Sequence, residues 1–179
     1  MRSELRSGKR KKNGNSAYDE ALDFLTPKAR TVREVENRLD ECDYSEIEIM
    51  QTIERLLGNG LLDDRKYAAD FVESRLNTKP VSRQKLREQL EGHFIEDDVI
   101  REALAVVSDE TELSNARAVA EKFFRQFSSL PLTERLRRVG LRLGSRGYSF
   151  DNIKLLLAEL ADTAPDDEDG YFYEEDCDE

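Results

Sequence analysis

Large apolar residues recur in this chain at one fixed set of offsets, three times over. With Leu39, Leu90 and Leu143 as references, position minus 4 holds Val35, Leu86 and Val139, and position plus 5 holds Tyr44, Ile95 and Tyr148. Plus 10 holds Ile49, Ile100 and Ile153, plus 14 holds Ile53, Leu104 and Leu157, and plus 17 holds Leu56, Val107 and Leu160. The references stand 51 and 53 residues apart, and the register has no gap inside a copy. Steps of three and four residues put such side chains on one stripe of a helix, which must bury against a neighbour. A recurrence of this kind predicts a tandem array.

Composition narrows the fold class. Apolar and charged residues are nearly equal, at 38% and 37%, with only four prolines and no tryptophan, which suits surface-rich helices better than sandwiches or barrels. The expected fold is all-α, a tandem array of three three-helix repeats forming an elongated, curved body. Repeat 1 is expected over 16–62, repeat 2 over 63–109 and repeat 3 over 110–160. A basic disordered N-terminus, 1–15, and an acidic disordered tail, 161–179, flank them.

Local signals place the helices. Ala17, Ala21 and Leu25 run at i, i+4, i+8 and stop at Thr26-Pro27, because proline lacks an N–H and restricts the residue before it. Thr31 with Glu34 and Ser45 with Glu48 make capping boxes opening helices over 32–42 and 46–57, and Gly60 suits the left-handed position past the end. Ala68, Val72 and Leu76 begin repeat 2, a break follows at Asn77 to Pro80, and Ser82 precedes Leu90 by the eight residues that separate Thr31 from Leu39. Ala116, Ala120, Phe124 and Phe127 give repeat 3 its first helix, set back by a longer link through Ser128, Ser129 and Pro131.

The net charge of −11 conceals a segregation. Residues 1–15 carry Arg2, Arg6, Lys9, Arg10, Lys11 and Lys12 against Glu4, whereas 161–179 carry ten carboxylates and no base. Between 117 and 148 lie Arg117, Lys122, Arg125, Arg135, Arg137, Arg138, Arg142 and Arg146, opposed only by Glu121 and Glu134. One repeat of an acidic protein is therefore basic. Arg135, Arg138, Arg142 and Arg146 fall at i, i+3, i+7, i+11, so a single helix face presents a guanidinium row suited to phosphates or carboxylates. The plain alternative is a solvated face. Lys79, Arg83, Lys85 and Arg87 extend the basic character into repeat 2, diluted by Glu88 and Glu91. In the tail, Tyr171-Phe172-Tyr173 amid carboxylates imitates the stacking and charge of single-stranded DNA, which suggests competition for the basic repeat in cis.

Little in the sequence points to catalysis. His93 is the only histidine and nothing marks a partner for a nucleophilic triad, so a core-edge or surface role is expected. No GxxxxGK[ST], GxGxxG or HExxH motif is present, and no cofactor or metal is expected. Asp63-Asp64 is expected to cap a helix start rather than bind a cation. Cys42 and Cys177 form neither a disulfide framework nor a zinc motif, which fits a reducing compartment. No stretch approaches the roughly 18 apolar residues of a membrane span, and the basic start lacks a signal-peptide core. A cytoplasmic monomer is the expectation.

Gly60-Leu61-Leu62-Asp63-Asp64-Arg65-Lys66-Tyr67-Ala68, followed by Phe71-Val72 and Arg75, resembles a signature of the bacterial RecX family. Arg83 to Leu90 resembles the basic helix of that family's second repeat, and Arg146-Gly147-Tyr148-Ser149-Phe150-Asp151-Asn152-Ile153 resembles its closing motif. The likeness covers about 16–160. It implies structural roles for Gly60, Asp63, Asp64, Tyr67, Ala68, Leu90, Gly147, Tyr148 and Ile153. It also implies a non-enzymatic modulator of the RecA recombinase that lodges in the groove of RecA filaments on single-stranded DNA and restrains growth, ATP hydrolysis and strand exchange. Arg135, Arg138, Arg142 and Arg146, with Arg83, Lys85 and Arg87, are then the expected filament and DNA contacts. The residues themselves leave two other classes open. One is a helix-turn-helix-like DNA-binding regulator and the other a helical protein scaffold.

Overall fold

The computed structural model describes residues 14–163, among which lie nine helices and no strand. Of the segments expected at the two ends, 1–13 and 164–179 lie outside the described residues. Repeat 1 contains α1 (Ala17–Leu25), α2 (Val32–Glu41) and α3 (Glu46–Gly58). Repeat 2 contains α4 (Asp64–Thr78), α5 (Arg83–Gly92) and α6 (Asp97–Leu104). Repeat 3 contains α7 (Asp109–Gln126), α8 (Leu132–Gly144) and α9 (Phe150–Asp162), so α9 runs two residues into the segment expected to be tail.

Side-chain caps decide most of the helix starts, because the first N–H groups of a helix have no partner within it. Both arms of the Thr31/Glu34 and Ser45/Glu48 capping boxes are formed. Ser16, Asp63, Ser82 and Ser149 each accept the backbone N–H three residues on. Two helices lack a side-chain cap bond: α6, preceded by Glu96, and α8, preceded by Pro131. Asp97 and Asp98 in the first turn of α6 set carboxylates against the positive end of its dipole.

The middle helix of every repeat ends in the same motif. Residue plus 4 is left-handed in all three copies: Asp43 at φ 62°, Phe94 at 61° and Gly147 at 80°. The next N–H reaches back to the reference leucine, with Tyr44 N to Leu39 O at 3.2 Å, Ile95 N to Leu90 O at 3.2 Å and Tyr148 N to Leu143 O at 3.4 Å. This is a Schellman ending, and it turns the plus 5 side chain into the core. Only one copy uses glycine, the residue that takes this conformation without a Cβ penalty. Phe94→Gly is therefore expected to stabilise the fold by about 0.5–1 kcal/mol, and Gly147→Ala to destabilise it by about as much. Urea midpoints measure both, and a loss of stability in Phe94→Gly would contradict the account.

The apolar register fills three clusters, one per repeat. Leu39, Leu90 and Leu143 are all fully buried, as are Val35, Leu86 and Val139. Two positions depart from simple repetition. Val107 is buried although α6 stops at Leu104, because the turn from Val107 N to Leu104 O folds it back. In α9 the most buried side chain is Leu156, and Leu157 is half-buried. Leu157 instead lies across Gly140 of α8, where an added Cβ would stand 3.3 Å from its Cδ1. The chain divides into two compact units, one ending at Ser108 and holding repeats 1 and 2, the other beginning at Asp109 and holding repeat 3.

Candidate functional site: the arginine face of repeat 3

Three phenylalanines on and just past the last turn of α7 underlie the arginines of α8. Phe123, Phe124 and Phe127 form an aromatic strip, with the rings of Phe123 and Phe127 stacked at 6.0 Å. The Arg135 guanidinium lies 3.4 Å from the centre of the Phe124 ring, and its Nε donates to Phe124 O at 2.6 Å. Arg138 stands 5.8 Å from Phe127. Arg142 and Arg146 approach Phe123 at 5.5 and 4.9 Å. Arg146 lies beyond the end of α8, and its Nη1 donates to Arg142 O.

The row expected from the sequence is thus brought together, but its four members are not equivalent. Arg135 is anchored to backbone and ring, and Arg146 has a buried Nε without a hydrogen-bond partner. Arg138 and Arg142 are the exposed pair. Only Arg135 stacks directly on a ring, while Arg138 and Arg142 stand at the outer limit of cation–π attraction, which biases them towards the aromatic strip without fixing them. Lys122 and Arg125 of α7 are exposed as well.

Compensation by acid is sparse here. Glu134 accepts from Arg137 Nε at 2.7 Å and Arg138 Nε at 2.7 Å, and Arg117 makes a two-pronged pair with Glu159. The hydrogen bonds from Arg137 and Arg138 hold the Glu134 carboxyl at about 2, below its ordinary 4.5. A depressed carboxyl adds stability that is present above pH 4.5 and lost as pH falls towards 2. Glu134→Gln is accordingly expected to lower the melting temperature at pH 6, and most of that gap is expected to close as pH falls to about 2. A gap as large at pH 2 as at pH 6 would show that the two arginines do not depend on the carboxylate charge.

The bases of repeat 2 are in a different situation. Lys85 pairs with Glu88 at 2.7 Å, Arg87 pairs with Asp97 and approaches Glu91, and Asp97 also takes Arg101. Arg83 is half-buried and engaged. These side chains belong to the first compact unit, which ends at Ser108.

The residues around Asp63-Asp64 tie repeat 2 to repeat 1. Asp63 caps α4, while Asp64 Oδ1 accepts Val32 N–H at 2.9 Å and so serves the start of α2. Burial pushes the Asp64 carboxyl above the usual aspartate range, against the opposing effect of that bond. His93 Nδ1 lies 2.9 Å from Glu34 Oε1, and Thr31 Oγ1 donates to His93 O at 2.8 Å. The ring of His93 meets Tyr67 and Phe71 edge-on, at 5.6 and 5.5 Å. His93 is therefore the edge residue anticipated for it. Ala68, Leu90 and Tyr148 are buried, Ile153 is half-buried, and Gly60 is left-handed at φ 67°. Three partners were not legible beforehand: the phenylalanine strip, the double use of Glu134 and the reach of Asp64 into α2. The spacing of Phe123, Phe124 and Phe127 at i, i+1, i+4 was the available signal for the first.

Comparison with known proteins bears on these features repeat by repeat. The first, second and third three-helix domains of RecX match residues 17–56, 63–104 and 110–157. The chain belongs to the RecX family. It is 30% identical over 157 residues to the regulatory protein RecX of Levilactobacillus brevis and 31% identical over 157 residues to that of Bacillus subtilis. Each alignment covers 88% of this chain but only 59% and 58% of the respective relative, so the chain spans under two thirds of the length of these RecX proteins. The crystal structure of RecX from Lactobacillus salivarius superposes with a TM-score of 0.68 at 27% identity, covering 81% of this chain and 94% of that one. A second RecX crystal structure gives 0.67 at 28%, covering 78% and 70%. The all-α array of three-helix repeats is thus the RecX fold. Among the described residues, no helix is long and apolar enough to cross a membrane.

Proposed function

We propose that this chain is a non-enzymatic modulator of the RecA recombinase, acting chiefly as an inhibitor. It binds in the groove of RecA filaments on single-stranded DNA and restrains filament growth, ATP hydrolysis and strand exchange. Family membership supports the choice of partner, since the relatives are named regulatory proteins. The observation that carries the reading in this chain is the arginine face of repeat 3, set against phenylalanine rings, with one acid, Glu134, shared between Arg137 and Arg138. Such a face recognises phosphates by charge-assisted forks and makes the interaction salt-dependent. A protein of net charge −11 repels bare DNA at long range, so a filament offering both protein surface and phosphates suits it better than free duplex. The reading places the protein in the cytoplasm as a monomer, without a cofactor.

Purified chain mixed with recombinase filaments on single-stranded DNA tests the proposal directly. Co-sedimentation with slowed ATP hydrolysis, both weakened by added salt, is the expected result. Binding to neither filament nor DNA would move the reading to a protein scaffold, and equal binding to bare duplex would move it to a DNA-binding regulator.

A further inference from the structure

We propose that the acidic segment following α9, residues 164–179, docks in cis on the arginine face of repeat 3 and competes there with nucleic-acid phosphates. The competition rests on the reading of that face as a polyanion contact. Three observations support this. The first is its point of departure. Thr163, the last described residue, lines a groove of about 330 Å³ between α7 and α9 together with Phe124, Arg125 and Leu160. Phe124 is the ring on which Arg135 rests, so the chain leaves from the rim of the basic cluster.

The second observation is charge. Beyond Thr163 the sequence holds nine carboxylates and no lysine or arginine. Within the groove, which Glu121 also lines, Arg117 is taken by Glu159, while Arg125 is exposed; on α8 Arg142 is exposed and Arg138, though exposed, shares Glu134 with Arg137. The segment also carries Tyr171-Phe172-Tyr173 among its acids, offering ring faces to guanidinium groups as nucleobases do.

The third is reach. Seven residues of extended chain from Thr163 to Gly170 span up to about 24 Å, whereas Arg135 to Arg142 rises only about 10 Å along α8. Thr163 shares its groove with Arg125 and with Phe124, on whose ring Arg135 rests, so this end of the basic cluster lies within range of the first acidic block, and tethering raises its effective concentration to roughly the millimolar range.

The chain supplies its own probe site. Cys42 is buried and burial pushes its thiol up, so a thiol-reactive nitroxide is directed to Cys177. Broadening of the amide signals of Arg125, Arg138 and Arg142 by that label at low salt, relieved near ~0.5 M salt where screening shortens to a few ångströms, is the expected result. A full-length chain carrying Asp166→Asn, Asp167→Asn, Glu168→Gln, Asp169→Asn, Glu174→Gln and Glu175→Gln is expected to lose the broadening and to bind a single-stranded oligonucleotide about tenfold more tightly. No broadening in the unchanged chain overturns the docking. Broadening with equal oligonucleotide affinity in the two chains overturns the competition. If broadening persists but neither chain binds oligonucleotide or filament, the docking stands and the reading of the face as a nucleic-acid contact fails.

Discussion

Leu143→Ala is expected to unfold repeat 3 and to leave repeats 1 and 2 intact. Leu143 is fully buried at the centre of a cluster with Val139, Tyr148 and Leu156. Truncating such a leucine costs about 2–5 kcal/mol, the sum of lost transfer energy and the cavity left behind. A unit of this size holds only about 3–8 kcal/mol in total, so the substitution removes most of it. Native-state hydrogen exchange reads the outcome residue by residue. Amides of α7 to α9 are expected to lose protection while those of α1 to α6 keep theirs. Leu90→Ala is expected to act differently, releasing α1 to α6 together, because Thr31, Val32 and Glu34 of repeat 1 bond to Asp64 and His93 of repeat 2. Equal loss across the whole chain in Leu143→Ala would sink the division into two units.

Arg138→Glu with Arg142→Glu is expected to weaken binding to recombinase filaments by about two orders of magnitude at low salt, with a shallower dependence on salt thereafter. Both side chains are exposed, so the loss of stability is expected to stay within about 0.5–1 kcal/mol, most of it from the lost bond of Arg138 to Glu134. The contrast with Arg135 separates binding from folding. Arg135 donates to Phe124 O and covers its ring, so Arg135→Glu removes a structural tie and is expected to lower stability as well. Unchanged filament binding by the Arg138/Arg142 double variant, with an intact fold, would refute the assignment of this face.

What the sequence disclosed about this molecule was mostly local. Capping boxes act over three residues, so Thr31/Glu34 and Ser45/Glu48 were readable as pairs of letters. The six-position register was readable because buried leucines repeat with the helix, and it faltered only where geometry intervened. The short α6 left Val107 in a turn, and Gly140 let α8 close on Leu157. The left-handed plus 4 residue was hidden by its chemistry, since aspartate and phenylalanine stand in two copies where glycine would have announced it. The candidate site was half legible. Spacing put the four arginines on one face, but which of them remain available depends on Phe123, Phe124 and Phe127 of another helix. Long-range bonds were not legible at all: Val32 to Asp64 spans 32 positions and Thr31 to His93 spans 62.

Those two bonds also set an order of events during synthesis. The helix that begins at Val32 receives one acceptor only when Asp64 has been made, and the Thr31 hydroxyl finds its acceptor only at His93. At about 5–20 residues per second, the ribosome takes roughly 3–12 s to cover the 62 positions. Repeat 1 emerges first but stays incomplete for that interval, its α2 start still facing water. Until then repeat 1 stands without those two ties to repeat 2. The contacts are complete only when the pair has been made.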